Sequence, residues 1–204
     1  GRLDGTMEVK DFHKDARLKA DLFLHHLTVG ALDAPGAKIK ADFDGSDFKF
    51  DLGIEQTDGH LESFGQAKAS WGGAYVPTLD PKAAAEVTLR ARHFKVAVLQ
   101  PFIPPMIDQL DGRLDAELTV KVPPSGAGVG VVGTASLTKG VFAAATIGEY
   151  DDIAANVTAG EGGTIRIEDI RARSGAGIVR ATGRAQLAGL SLAELRVNAE
   201  VDRK

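Results

Sequence analysis

The sequence predicts an all-β fold built from largely antiparallel strands. Apolar and polar residues alternate with a period of two through most of the chain, which is typical of strands with one dry and one wet face. Clusters of Gly, Asp and Asn separate these segments, as in Gly160-Glu161-Gly162-Gly163. Only one segment breaks the alternation. Together these observations favour an elongated sheet over any helical or mixed architecture.

Composition narrows the function classes. The chain has 204 residues, of which 44% are hydrophobic and 25% charged, so it should bury a core. A net charge of −4 argues against a nucleic-acid partner. The absence of cysteine excludes disulfides and thiolate metal sites. No apolar run approaches the roughly 18 residues of a membrane span. Because the chain starts without Met and as if inside a strand, we expect it to be a segment of a longer protein.

The clearest strands are residues 37–44 and 48–55, where apolar residues interleave with Lys and Asp. Asp44-Gly45-Ser46-Asp47 between them has good turn chemistry and predicts a hairpin. The same period predicts further strands, which we place at residues 16–25, 85–92, 114–122, 131–137, 153–159, 164–172, 178–187 and 195–201.

Residues 93–112 interrupt the pattern. Pro101, Pro104 and Pro105 argue against a central strand there. Short helical turns on either side, with Pro105 near a helix start, fit better, so we expect a helical interruption near residues 97–110.

An internal repeat divides the chain. GRLDGTMEV at residues 1–9 resembles GRLDAELTV at residues 112–120, and the segment at residues 61–70 resembles that at residues 178–187. Such repetition predicts serial addition of similar sheet units rather than a closed barrel. We therefore expect a first β-repeat unit at residues 1–92, a proline-rich helical linker at 93–111, and a second unit at 112–204 in the same continuous sheet.

The dry face of these strands must pack against something. A sandwich would pair two such faces, whereas many of the positions are Ala or Gly and suit a curved sheet that leaves an apolar groove; the residues alone favour neither. The side chains expected to line a groove are Leu18, Leu22, Ile39, Phe43, Phe48, Phe50, Leu52, Ile54, Val87, Leu89, Leu114, Leu118, Val120, Leu137, Ile153, Val157, Ile165, Ile167, Val179, Leu187, Val197 and Val201.

Several glycine-rich and apolar motifs resemble the TamB family, the AsmA-like subunits of the translocation and assembly module. The resemblance covers residues 93–201 well and the first half more loosely; it is carried by residues 102–104, 110–114, 133–141, 150–153, 165–167 and 175–183. It implies a periplasmic segment of an inner-membrane-anchored protein, folded as a U-shaped trough (a β-taco).

The resemblance also implies two activities, which are phospholipid passage towards the outer membrane and the assembly of some outer-membrane proteins with a TamA-type outer-membrane barrel partner. Two alternatives remain open. One is a scaffold that holds unfolded outer-membrane protein strands at its sheet edges; the other is an ordinary β-sandwich adhesion module. In all three readings we expect no catalysis, no cofactor and no metal.

Residues that could carry chemistry lack the required spacing. His25 and His26 are adjacent, so regular strand geometry points them to opposite faces; His13, His60 and His93 stand apart. The carboxylates of the predicted hairpin alternate with lysines, which indicates a solvated face rather than a calcium site. Residues 126–130 are glycine-rich but precede a strand, which predicts a loop. Trp71 either plugs the groove or packs under the loop at Val76 and Pro77, and we favour packing.

Overall fold

Twelve strands follow one another through a single antiparallel sheet in chain order. The computed structural model describes residues 1–11, 16–29, 32–71, 78–80, 82–103, 106–124, 130–188 and 191–203. The strands are β1 (Arg2–Lys10), β2 (Arg17–Val29), β3 (Leu32–Phe43), β4 (Asp47–Gln56), β5 (Gly59–Ser70), β7 (Ala85–Lys95), β8 (Ile107–Val122), β9 (Gly130–Ala144), β10 (Gly148–Ala159), β11 (Thr164–Ser174), β12 (Gly177–Ala188) and β13 (Ser191–Arg203). A two-residue strand, β6 (Thr78–Leu79), pairs with the end of β5.

The all-β, antiparallel prediction is confirmed. Each segment predicted from alternation lies largely within a strand, and most strands extend further than their predicted segments. The predicted hairpin is present as β3 and β4, with Phe43 opposite Phe48 at the turn. The described strands form one open sheet with β1 and β13 at its edges, rather than the two facing sheets of a sandwich.

The proline-rich interruption is shorter than predicted. The described part of this segment contains one 3₁₀ helix, Val96–Phe102, directly after β7. The helical turn expected after the prolines is absent from described residues 106–124, because β8 already begins at Ile107 and pairs there with β9. Proline removes a ladder hydrogen bond only at its own position, so the residues that follow are free to pair. Pro104 and Pro105 lie outside the described residues.

The repeated segments occupy corresponding places in the sheet. Residues 1–9 and 112–120 lie in β1 and β8, while residues 61–70 and 178–187 lie in β5 and β12. The main sheet thus consists of two successive series of six strands, β1–β5 with β7 and then β8–β13. Residues 1–9 and 112–120 lie in the first strand of their series, and residues 61–70 and 178–187 lie in the fifth. The two series join through the pairing of β7 with β8, so the sheet runs through without a break.

Two clusters of buried residues lie towards opposite ends of the strands. At one end, Phe94, Val96 and Val98 pack with strand residues such as Leu61 and Ala116. The 3₁₀ helix thus covers this part of the apolar face, and half-buried side chains that include Leu89, Leu118 and Leu137 pack against the cluster. At the other end a second cluster contains Ala16, Phe43, Ala69 and Trp71. Only Phe43 and Phe94 among the large described side chains are fully buried.

Gln100 fastens the 3₁₀ helix to the start of β8. Its Nε2 donates to the carbonyl of Ile107 (3.1 Å), and its Oε1 accepts from the N–H of Leu110 (2.7 Å). Replacing Gln100 by Ala leaves both backbone groups without this partner, so we expect a loss of about 1–3 kcal/mol in urea unfolding. Gln109→Ala, on an exposed side chain of β8, is the control and should cost much less. Equal losses would contradict this role of Gln100.

Candidate functional site: an open apolar face

One face of the sheet is apolar from edge to edge. The pairing registers align small and aliphatic side chains across successive strands, so that Leu52 in β4 lies in the same row as Leu89 in β7 and Leu118 in β8. The neighbouring row on the same face runs through Ala135, Val157 and Ile167 to Val197. With adjacent strands about 4.8 Å apart, such a face extends roughly 50 Å across the twelve strands.

The predicted lining residues share this face, but it is not closed over. Among them, all of which are described, only Phe43 is buried; Ile39, Val197 and Val201 are exposed and the remainder are half-buried. Side chains between two packed sheets would be buried much more completely. The face therefore lacks a second layer over most of its area.

The solvent-accessible surface area of the chain also indicates that the apolar face lacks a second layer. It measures 13071 Å², whereas a compact protein of this mass exposes about 9,100 Å². A single layer explains the excess, because each strand is covered by protein on its edges and uncovered on its apolar side. Soluble monomers rarely expose apolar patches larger than a few hundred Å², and larger ones mark interaction or ligand sites.

The opposite face carries the charges. Lys19 lies 3.7 Å from Asp42, Lys40 lies 3.1 Å from Asp21, and Arg90 lies 3.4 Å from Glu117. Such exposed pairs contribute little stability, about 0–1 kcal/mol each. Their main consequence is that this face is hydrophilic, whereas the other face is suited to an apolar occupant.

β-Bulges interrupt four consecutive strands in the middle of the sheet. His93 in β7, Gly112 in β8, Lys139 in β9 and Asp152 in β10 all have positive φ, and the pairing register shifts beside them. A bulge bends its strand and increases the local twist. The alternation of residue types does not reveal these positions.

A cavity of about 940 Å³ lies at one end of the strands, between residues of β4 and residues of β12. Its apolar lining includes Ala67, Ala85, Val122 and Leu187, which belong to the apolar face. Lys68 and Asp47, 2.6 Å apart, also line it. The hydrogen bond from Lys68 and a second from Ser46 hold the pKa of the Asp47 carboxyl below its usual range. The cavity is thus lined by both apolar and charged side chains.

Sequence reasoning missed some of the apolar side chains of the edge strands. Leu3 in β1 is 62% exposed and Leu195 in β13 is 53% exposed, and they join Val201, a predicted lining residue that is 61% exposed. Each pairs with an apolar residue of the neighbouring strand, so they extend the apolar face to both edges. The resemblance of residues 1–9 to residues 112–120, which lie in β8, was the sequence signal that indicated strand β1.

Trp71 packs at the end of the sheet beside Phe43, with ring centroids 5.9 Å apart. It is buried in the second cluster with Leu18 and Phe48, so packing describes its place better than a plug across the open face. The loop at Val76 and Pro77 lies outside the described residues.

The histidines and acidic residues form no cluster for a metal within the described part of the chain. His25 pairs with Asp4 (3.0 Å) and His93 with Asp115 (3.2 Å). His26 has a φ of 51°, so the regular strand geometry expected for the adjacent histidines does not hold there. His13 and residues 126–129 of the glycine-rich segment lie outside the described residues.

Asp44 organises the turn between β3 and β4. Its carboxylate accepts the N–H of Asp47 (3.0 Å) and that of Ser46 (3.5 Å), which lowers its pKa. A lowered folded-state pKa gives stability above the unfolded value of about 3.9, which is lost as the pH falls through the folded value. Urea unfolding of the wild type and Asp44→Asn should therefore differ at pH 5–7 and converge towards pH 3. A difference that persists unchanged at low pH would contradict this.

The fold and its uncovered face define the chain as an open, single-sheet β protein. No family model matches the sequence, and neither curated proteins nor solved structures show significant similarity to it. Within the described residues no helix has the length and apolarity to cross a membrane.

Proposed function

We propose that the apolar face carries the acyl chains of phospholipids, as a periplasmic segment of an envelope-spanning, TamB-like protein that delivers lipid towards the outer membrane. The observation that carries the proposal is that the lining side chains are half-buried or exposed, and lack a second layer, over most of the sheet. An uncovered apolar face of this extent needs an apolar occupant.

The physics of transfer favours this occupant. Moving an acyl chain into water costs about 0.8 kcal/mol per methylene, which exceeds 20 kcal/mol for a two-chain lipid. A continuous aliphatic surface removes most of that cost. Because it offers few polar anchors, it binds no headgroup tightly, and lipid can exchange along it. Leu89, Leu118 and Val120 provide such a surface at the centre of the sheet.

We further propose that the working sheet curves into a U-shaped trough with the apolar face inside. The aligned bulges at His93, Gly112, Lys139 and Asp152 support bending along a line across β7–β10. The cavity between β4 and β12 residues also supports a concave face. A TamA-type outer-membrane barrel is the proposed partner of the longer protein.

Lipid analysis of the chain tests this proposal. The protein is purified without detergent and studied by native mass spectrometry, with lipid extraction from the same sample. We expect phospholipid to co-purify and to appear as mass adducts. A lipid-free monomer that also takes up no phospholipid from vesicles would overturn the proposal.

A second candidate function rests on the open sheet edges. β1 and β13 each pair on one side only, and both expose apolar side chains. Such edges can accept an added strand, so the chain could hold unfolded strands of outer-membrane proteins. Hydrogen exchange distinguishes the two functions: an added outer-membrane strand peptide would slow exchange along β13, whereas lipid on the apolar face would leave the edge amides unprotected.

A further inference from the structure

Three arginines stand side by side on the charged face of β11–β13. Arg166 in β11 is directly opposite Arg184 in β12, which is directly opposite Arg196 in β13. All three side chains are exposed. With strands about 4.8 Å apart, the outer two Cα atoms lie roughly 10 Å from each other. We call these three residues the arginine ladder.

Cross-strand pairs of like charge destabilise a sheet, and the arginine ladder has little compensation. Arg166 and Arg184 form no ion pair with another described residue, and Arg196 has Glu194 on its own strand, 2.6 Å away. Between β2 and β3, by contrast, the same face pairs opposite charges: Lys19 lies opposite Asp42, and Asp21 lies opposite Lys40. The arrangement in β11–β13 thus costs stability, and it is longer than the like-charge pairs elsewhere on this face, which are Lys10 with Arg17 and Lys95 with Arg113.

A second row lies beside the ladder. Arg171 is opposite Arg180, whose guanidinium is 3.5 Å from Asp202. The carboxylates of Glu168, Asp169 and Glu200 also belong to this part of the face, and Glu168 accepts a hydrogen bond from Thr158, which lies directly opposite Arg166. These carboxylates lie outside the row of the arginine ladder, in which Arg184 is flanked by Arg166 and Arg196.

The type of cation is also uniform. Between residues 140 and 203 every cationic residue is arginine, whereas all but one of the lysines precede that range. A guanidinium is planar and donates two parallel hydrogen bonds, which match the oxygens of a phosphate better than the point charge of lysine. The chemistry of the ladder therefore suits phosphate groups, as it also suits carboxylates.

The reverse side of the same edge is apolar and open. Leu195, Val197 and Val201 of β13 are about half exposed or more. The edge thus combines phosphate-binding groups on one face with exposed aliphatic groups on the other. Such an amphipathic edge matches the boundary between the headgroups and the acyl chains of a membrane.

We propose that the arginine ladder docks the β13 edge on the surface of an anionic phospholipid bilayer. The proposal deepens the proposed function and rests on it for its purpose, since docking would bring the apolar face close to a lipid source or acceptor. The contact itself depends only on charge and phosphate chemistry.

Vesicle co-sedimentation of the whole chain tests the docking. We expect binding to vesicles of equal parts phosphatidylglycerol and phosphatidylcholine, weaker binding at high salt, and little binding to pure phosphatidylcholine. The triple variant Arg166→Gln, Arg184→Gln, Arg196→Gln should bind the anionic vesicles at least fiftyfold more weakly, from roughly fivefold per arginine. Its melting temperature should stay level or rise, because repulsion is removed.

The matched control removes the same charge from the same face elsewhere, through Lys19→Gln, Lys40→Gln and Lys49→Gln in β2–β4. This variant should keep nearly all of the vesicle binding. Equal losses in the two triple variants, no loss in the arginine variant, or no wild-type binding to anionic vesicles would each overturn the proposal.

Lipid extraction from the same samples separates this proposal from the proposed function. A wild type that binds anionic vesicles through the ladder but never carries phospholipid would support docking and overturn lipid carriage. A wild type that carries phospholipid but ignores anionic vesicles would overturn docking and leave lipid carriage standing.

Discussion

Leu118→Asp should abolish lipid carriage while the sheet still folds. Leu118 lies at the centre of the apolar face, with Leu89 on one neighbouring strand and Gly133 on the other. A carboxylate among acyl chains costs about 3 kcal/mol, which reduces lipid occupancy roughly a hundredfold. Because Leu118 is only half-buried, the carboxylate reaches water when lipid is absent. Bound phospholipid per chain is the quantity to measure, with circular dichroism to follow folding.

Val132→Asp is the matched control for this variant. Val132 is an exposed apolar residue on the charged face of β9, one strand away. The same change of side chain there should leave lipid content near the wild-type level. If Leu118→Asp unfolds the protein, the face is closed rather than open, because a buried unpaired charge is what prevents folding. If the variant folds and keeps its lipid, Leu118 does not line the lipid path.

Gly133→Ala should destabilise the fold severely. Gly133 has a φ of +133°, and a Cβ there would collide with the carbonyl oxygen of Glu117 and lie 3.0 Å from the Cα of Leu118. To accept it, β8 and β9 must separate where Leu118 pairs with Gly133, close to the start of β9. A strained backbone and an overpacked contact together cost about 3 kcal/mol, which lowers the melting temperature of a chain of this size by roughly 6–12 °C.

Gly53→Ala provides the comparison. Gly53 also lies inside a strand, but a Cβ there meets nothing within 4 Å. Alanine at this position should be neutral, or stabilising by up to about 1 kcal/mol, because glycine loses more freedom on folding. Similar losses at the two glycines would show that β8 and β9 do not depend on their close approach at Gly133.

The sequence was sufficient to predict ten of the twelve strands of the main sheet and their division into two faces, whereas β5 was not predicted and β1 was indicated only by the repeat. Alternation with a period of two is a local property, so residues such as Phe48, Phe50 and Leu52 could be assigned to one face before any partner was known. The hairpin of β3 and β4 was equally predictable, since its turn chemistry lies within four residues. The single-sheet architecture was not, because it depends on pairings between distant segments.

A β-bulge in β11 explains why the arginine ladder could not be predicted from the sequence. By alternation alone, Arg166 and Arg171 lie on opposite faces, because they are five residues apart. The register shift between Ile167 and Ile170 brings both to the charged face. The ladder with Arg184 and Arg196 also requires the registers of three strands at once. Local sequence signals carry none of this information.

Site-specific photocrosslinking from Leu118 in cells tests the central claim most directly. A photoreactive amino acid at Leu118 on the apolar face is compared with one at Glu117, the preceding residue on the charged face. If the open apolar face carries lipid, phospholipid adducts form at position 118 and are absent or much weaker at position 117. Protein adducts alone at 118, or equal lipid labelling at the two positions, would contradict it.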